Sequence, residues 1–460
     1  MPPSIILFRR MGHSPYEEIM NIQLSDHFTF RKLIRFTLPS IGMLVFESIY
    51  AVVDGFFVSN FVGKTSFAAV NFIIPVLMVF GAFGAMFGTG GSALVAKTLG
   101  EGKHRRAKQI FSMFVYGAII AGIILSLLAF VFVRPAAEFL GAEKAMLDDC
   151  AVYGRIVILA IPALLLQYEF QSFFVAAEKP HLGLVVTVAA GVTNIILDAL
   201  FVAVFPFGIV GAAWSTAISE YVGGVIPLIY FARRNDSLLQ LTRTRFSGKA
   251  LLKGCGNGAS EFLSTISMSV VSMLYNVQLM KYAGENGVAA YGTLMYVGMI
   301  FSSAFMGYSM GVAPVIGFHY GARNRLELGG LLKKSLVMIG GFSVIMFLSS
   351  ELLAGPLSRM YVGYDKSLLA LTQRGFALFS FSFLFSGFPV FGSAFFTALN
   401  NGLISAAISF LRIGVFQILS VLILPLFLGI DGIWLSVVTA EVAATTVAVL
   451  FWIGNRKRYL

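Results

Sequence analysis

Eight carboxylates fall inside or at the margins of long apolar stretches: Glu47, Asp54, Glu169, Asp198, Glu220, Glu261, Glu351 and Glu441. A charge at the centre of a bilayer costs at least about 2.5–3.5 kcal/mol on insertion scales, so such a residue turns to a watery cleft or a partner rather than to lipid. Asp54 closes the run ESIYAVVDGFFV, and Asp198 closes NIILD. Asn194 and Asp198 stand four residues apart and share a helix face. That sets an amide oxygen beside a carboxylate, hard oxygen ligands of the kind Na⁺ prefers. The same carboxylates, stripped of water, serve equally as proton carriers. Glu47 lies two helical turns before Asp54 with Tyr50 on the same stripe, and Thr216 offers a hydroxyl. Glu351, just ahead of LLAGP, reads as an interfacial residue. Glu220 and Glu441 read as a symmetric structural pair at least as readily as a functional one.

The elements that carry these residues follow from composition. The chain has 460 residues, 58% apolar and 12% charged, with a mean hydropathy of +0.85. Ordinary soluble proteins are about 45–50% apolar and about 25% charged, so a water-soluble enzyme, a disordered chain and a fibrous protein are excluded. A helix of roughly 20 apolar residues crosses the hydrocarbon. Apolar runs bounded by Gly, Pro and charge predict twelve segments, near 33–59, 66–96, 109–133, 151–177, 182–205, 210–232, 251–282, 288–318, 330–353, 370–397, 402–427 and 432–454. The fold expected is therefore an all-α polytopic membrane protein.

The remaining residue types narrow the function. Cys150 and Cys255 are too few for a disulfide framework or a thiolate metal site. The five histidines are scattered, and none sits mid-segment with the partner an embedded enzyme needs. No catalytic residue and no cofactor is expected. The net charge of +11 has a side: most of the 33 Lys and Arg lie with the N-terminus, the 2–3, 6–7 and 8–9 connections and the C-terminus. The positive-inside rule then places both termini in the cytoplasm, which makes the basic excess a topology signal and argues against a nucleic-acid partner. The first thirty residues lack the uninterrupted apolar core of a signal peptide and read as a cytoplasmic lead-in.

An offset of 221 residues aligns the two halves without a gap. Ala68 and Ala69 fall on Ala289 and Ala290, Gly90 on Gly311, Pro135 on Pro356, Gly208 and Gly211 on Gly429 and Gly432, Ser215 on Ser436, and Glu220 on Glu441. Six segments per half make a parallel repeat, two six-helix bundles related by a pseudo-twofold axis along the membrane normal, an arrangement suited to alternating access. The expected organisation is a lead-in (1–30), an N-terminal bundle (31–232), a cytoplasmic linker (233–250), a C-terminal bundle (251–454) and a tail (455–460). The linker's basic cluster is placed against anionic membrane lipid. The chemistry is lopsided: Tyr275, Val415 and Leu419 stand where the first half has Asp54, Asn194 and Asp198. An ion site is therefore expected in the N-terminal bundle.

The runs LPSIGMLVFESIYAVVDGFFVSNFVG, FAAVNFIIPV, GTGGSALVAKTLGEG, NIILDALFV and GIVGAAWST resemble the MATE (multidrug and toxic compound extrusion) family, nearest to its bacterial branch of DinF-like and MepA-like proteins. The resemblance covers the chain from about residue 30 onward. It implies efflux of cationic or amphiphilic compounds by a monomer in the bacterial cytoplasmic membrane, driven by inward H⁺ or Na⁺. Carried over, it implies a cation site, for H⁺ or Na⁺, at Asp54, Asn194, Asp198 and Thr216. A substrate cavity follows at Glu47, Tyr50, Gln167, Tyr168, Gln171 and Glu261. Glu261 resembles an acidic position of the NorM-like branch, which also needs an acid in segment 10, where 370–397 has none. The alternative on this scaffold is a flippase or exporter of a lipid-linked or amphiphilic metabolite. Such a protein is expected to have a cationic cavity, and the bases inside segments here are mainly Arg155 and Arg412.

Overall fold

The structure is a computed structural model and describes residues 22–62, 64–139, 144–363 and 365–459. Twelve helical spans follow one another. The first bundle holds α1 (Phe30–Phe57, continued by a π-helical stretch Val58–Val62), α2 (Lys64–Gly100) and α3 (His104–Phe139). It is completed by α4 (Lys144–Leu159 and Ile161–Ala176), α5 (Pro180–Asp198 with Ala199–Val204) and α6 (Gly208–Ala232). The second bundle opens with α7 (248–283) and α8 (285–321), one hydrogen-bonded helix broken only at Gly284. There φ is 61° and ψ −151°, a combination open essentially to glycine alone. It closes with α9 (Arg325–Val362), α10 (Lys366–Phe379 through Phe383–Ala398), α11 (Gly402–Ser409 through Ile418–Leu428) and α12 (Ile430–Tyr459).

Bends occur where the chain gives them a cause. The halves of α4 meet at 57° around Ala160, with Pro162 just inside the second half. Each of α1, α5 and α11 widens into a π-helical stretch in its interior or outer half. The glycines of α2 stand at close packing contacts. Gly84 and Gly88 let the backbone of α4 approach, and Gly91 lies against Phe114 and Phe173, as small residues do between membrane helices. The first bundle is cored by stacked and edge-on rings, with Phe111 4.9 Å from Phe173 and 5.0 Å from Phe231. In the second bundle Phe379 and Phe383 are buried in the core beside Leu294 and Trp434. Core packing therefore claims these rings.

The bundles meet along one half of their length, the half nearest the N-terminus and the 2–3, 6–7 and 8–9 connections, called here the basic face. A Cβ on Gly90 would stand 2.0 Å from the Gly254 carbonyl oxygen, and one on Gly258 2.1 Å from that of Met86. Gly100 and Gly321 approach Phe318 and Lys97 as closely, Gly307 packs on Ser40 and Ile41, and Ser48 bonds Ser303. In the other halves of α1, α2, α7 and α8, Phe56, Met78, Met273 and Tyr296 are exposed. The bundles are thus closed against each other at the basic face.

Of the expected lead-in, residues 1–21 lie outside the described residues. Residues 22–29 form a strap across the seam. Leu24 N–H donates to Glu178 Oε1 (2.5 Å) between α4 and α5, and burial pushes the Glu178 carboxyl up. Phe28 N–H donates to Glu327 Oε1 in α9 (2.9 Å), His27 Nδ1 lies 2.6 Å from Glu327 Oε2, and Lys334 Nζ donates to the Phe28 carbonyl (2.5 Å). Leu24 and Phe28 are fully buried. The strap is anchored in both bundles.

Candidate functional site

The carboxylates of the first bundle assemble in two tiers. In the outer tier, Asp54 of α1 and Asp198 of α5 come within hydrogen-bonding reach of each other. Asp198 Oδ1 accepts a hydrogen bond from Ser215 of α6, while Thr216 lies beside Tyr153 of α4. Four helices therefore converge here. Asp54 and Asp198 both lie immediately before or near π-helical stretches, where the backbone widens and side chains are re-aimed. Asp54 Oδ1, Asp198 Oδ2 and Asn194 Oδ1 are all buried and accept no hydrogen bond. Buried polar atoms are nearly always paired. Orphaned acceptor oxygens on the Asp54–Asp198 pair, with Asn194 one turn before Asp198 on α5, are complementary to a small cation or a shared proton. Two carboxylates at this separation repel unless one is placed between them.

The inner tier lies one heptad nearer the basic face on α1, about 10 Å along the helix. Gln171 Nε2 donates to Glu47 Oε2 at 3.0 Å, and Tyr168 bonds the same carboxylate. Tyr50 and Gln167 lie next to each other. Gln167 itself rests on Gly223 of α6, where a Cβ would collide with its Oε1. Glu220 joins this tier: it feels the charge of Glu47, and its Oε2 is buried without a partner. Glu169, next along α4, is fully buried with both carboxyl oxygens unpartnered, beside Gly88 and within electrostatic range of Cys255 across the seam.

The structure thus brings together Asp54, Asp198 and Thr216 in one tier, with Asn194 buried one turn before Asp198, and Glu47, Tyr50, Gln167, Tyr168 and Gln171 in the other. Glu261 stands apart, half-buried in α7, with Arg412 as its charged neighbour. Ser215 and Tyr153 escaped the sequence reading as site residues, and Glu220 was read there as structural at least as readily as functional. Ser215 carried a signal in its coincidence with Ser436. Glu220 carried one too, four residues after Thr216 on the same face. Tyr153 carried none, because only the fold brings the outer half of α4 to Thr216. Glu351 is exposed and accepts a hydrogen bond from Ser380, in keeping with an interfacial place.

The second bundle keeps the framework of this site without its charge. Tyr275, equivalent to Asp54, lies 2.5 Å hydroxyl to hydroxyl from Ser436, the equivalent of Ser215. Glu441, equivalent to Glu220, is held by Arg412 through Nε (3.0 and 2.9 Å) and Nη2 (2.8 Å).

Comparison with known proteins agrees with the repeat. The family described as MatE matches residues 39–200 and again 262–423. Multidrug export protein MepA of Staphylococcus saprophyticus is 26% identical over 431 residues, covering 92% of this chain and 93% of the relative. Its namesake in Staphylococcus haemolyticus is 25% identical, covering 93% and 94%. Among solved structures, MATE in complex with MaL6 superposes with a TM-score of 0.88 at 21% identity, covering 94% of this chain and 97% of the other. The outward-facing conformation of a multidrug resistance MATE family transporter of the MOP superfamily gives 0.88 at 22% identity, over 94% and 96%. A MOP superfamily transporter from Pyrococcus furiosus, described as having a binding pocket of reversed polarity, gives 0.86 at 20%, over 94% and 96%.

Proposed function

The chain belongs to the MatE family, and we propose that it is a secondary antiporter exporting cationic or amphiphilic compounds in exchange for H⁺ or Na⁺. The observation that supports this most directly is the outer tier, where Asp54, Asp198 and Asn194 each present a buried oxygen with no donor. Such a group binds a cation or proton strongly when one is available and repels itself when none is. The acids Glu47 and Glu220 below it favour a positively charged substrate, and the hydrogen bonds from Gln171 and Tyr168 fix the orientation of Glu47. On the sequence's positive-inside pattern the basic face is cytoplasmic and both termini lie there. The conformation, closed at that face, is then the outward-open one.

The cycle is a competition carried by one bundle. With the cleft open outward, an ion enters between Asp54 and Asp198 and relieves their repulsion. The shift is transmitted along α1 to the inner tier, where affinity for the cationic substrate falls and the substrate leaves. The bundles then rock, the seam at the basic face parts, and the ion is released where it is scarcer. Linkage makes the effect reciprocal, so substrate must expel the ion as strongly as the ion expels substrate. Glu261 contributes attraction for cationic substrate from the second bundle, and the protein acts as a monomer.

Ethidium efflux from proteoliposomes, with a pH gradient or a Na⁺ gradient imposed alone, tests this reading. One of the two gradients should drive efflux, and Asp198→Asn should remove that dependence. Efflux that runs equally without either gradient would refute antiport. Glu261→Gln should change the preference among drugs more than the ion dependence.

A further inference from the structure

One feature of the second bundle is not explained by duplication. The 221-residue offset pairs Gly191 of α5 with Arg412 of α11. In the first bundle a Cβ on Gly191 would stand 2.6 Å from the Phe46 ring and 2.7 Å from that of Tyr50. In the second, the residues equivalent to Phe46 and Tyr50 are Ser267 and Val271, both much smaller. Two aromatic rings on α1 thus fill the space that, across the repeat, is left to a guanidinium. The exchange is concerted: small residues on α7 accompany the large residue on α11.

That guanidinium makes three short contacts to Glu441, which is only 5% exposed. Arginine does not lose its proton in proteins and matches a carboxylate bidentately, so the charge it supplies is permanent. Glu220, the equivalent acid of the first bundle, has a buried oxygen with no partner, and the charge acting on it is another acid, Glu47. The titratable neighbours facing the Arg412–Glu441 pair are Tyr275 and Glu261 of α7. Among these groups Arg412 is the one base. The first bundle therefore has acids awaiting a cation, and the second has an acid already provided with one.

We propose that Arg412 is a tethered cation, holding in the second bundle the place that a mobile ion takes in the first, so that Glu441 never exchanges ions and coupling is confined to one bundle. This rests on the proposed function in treating the first bundle's acids as the exchanging set. It adds a reason why a duplicated scaffold works with a single ion-exchanging half. Replacing the tether with a neutral side chain should turn Glu441 into a second ion-binding carboxylate.

Infrared difference spectra of the purified protein in Na⁺-free medium, where H⁺ is the only small cation offered, count the carboxyls that hold a proton. Arg412→Gln should add the absorption of one carboxylic acid absent from the parent protein, and Arg412→Gln with Glu441→Gln should lose it again. Arg412→Lys keeps a tethered charge and should match the parent. Should Arg412→Gln fail to fold, the double variant still decides: it should retain gradient-driven ethidium efflux with unchanged ion dependence. An unchanged spectrum in Arg412→Gln, or a double variant that has lost its ion dependence, overturns the proposal. Asp198→Asn is the separate control, since loss of its effect on transport would defeat the antiport reading while leaving the Arg412 comparison intact.

Discussion

The hydroxyls of Tyr275 and Ser436 lie 2.5 Å apart in the second bundle, at the positions that Asp54 and Ser215 hold in the first. A neutral hydrogen-bonded pair thus replaces an acidic cluster on the same framework. A buried hydroxyl pair is satisfied as it stands and contributes on the order of 1 kcal/mol to stability. A buried carboxylate pair is satisfied only when occupied. In the proposed cycle the two halves divide the work accordingly, one supplying a stable wall and the other a site whose stability depends on an ion.

The inner tier should govern substrate rather than ion. Gln171→Ala removes the donor that holds Glu47 Oε2 at 3.0 Å, and a hydrogen bond to a charged group is worth about 1.5–3 kcal/mol. Ethidium affinity should fall by roughly ten-fold or more, with the ion dependence of efflux retained. Binding titrations on the purified variant check this; an unaltered affinity would remove Glu47 from the substrate path.

Closure at the basic face depends on bare backbone contact. Gly258→Leu places a side chain against the Met86 carbonyl, where even a Cβ would stand at 2.1 Å. The seam cannot then shut, so ethidium should still bind while vectorial efflux is lost. Cys255, half-buried on α7 near the seam, reports the change in a Cys150→Ser background. Its alkylation by a small maleimide should accelerate in Gly258→Leu, and normal efflux from that variant would show that the seam is not a gate.

The strap should bias the same equilibrium. Glu327 receives the Phe28 N–H and His27, so Glu327→Ala releases the second-bundle anchor. Leaving buried groups unsatisfied costs about 1–3 kcal/mol. Thermal unfolding should begin a few degrees lower, and Cys255 should label faster than in the parent. If labelling is unchanged, residues 22–29 are a passive covering.

Much of this architecture was legible before the structure. Period and composition gave twelve crossings, and a constant offset gave the repeat, because hydrophobic thickness and gene duplication both write themselves along the chain. Asn194 and Asp198 could be set on one face by their spacing alone. What spacing cannot give is the approach of different helices. Tyr153 meets Thr216 only across α4 and α6, and Glu220 finds Glu47 only across α1 and α6. Small residues in membrane helices more often pack than bend, and the partner backbone against Gly90 fits that reading.

The account stands on occupancy between Asp54 and Asp198 deciding whether a substrate stays. Binding of ethidium to the purified transporter, titrated at a series of pH values and Na⁺ concentrations, measures this directly. Saturating the coupling ion should weaken ethidium binding by roughly 5- to 150-fold, the range of a 1–3 kcal/mol coupling, and Asp54→Asn and Asp198→Asn should each bind ethidium with an affinity that no longer responds to either ion. Two variants that retain the full ion response of the parent would contradict it.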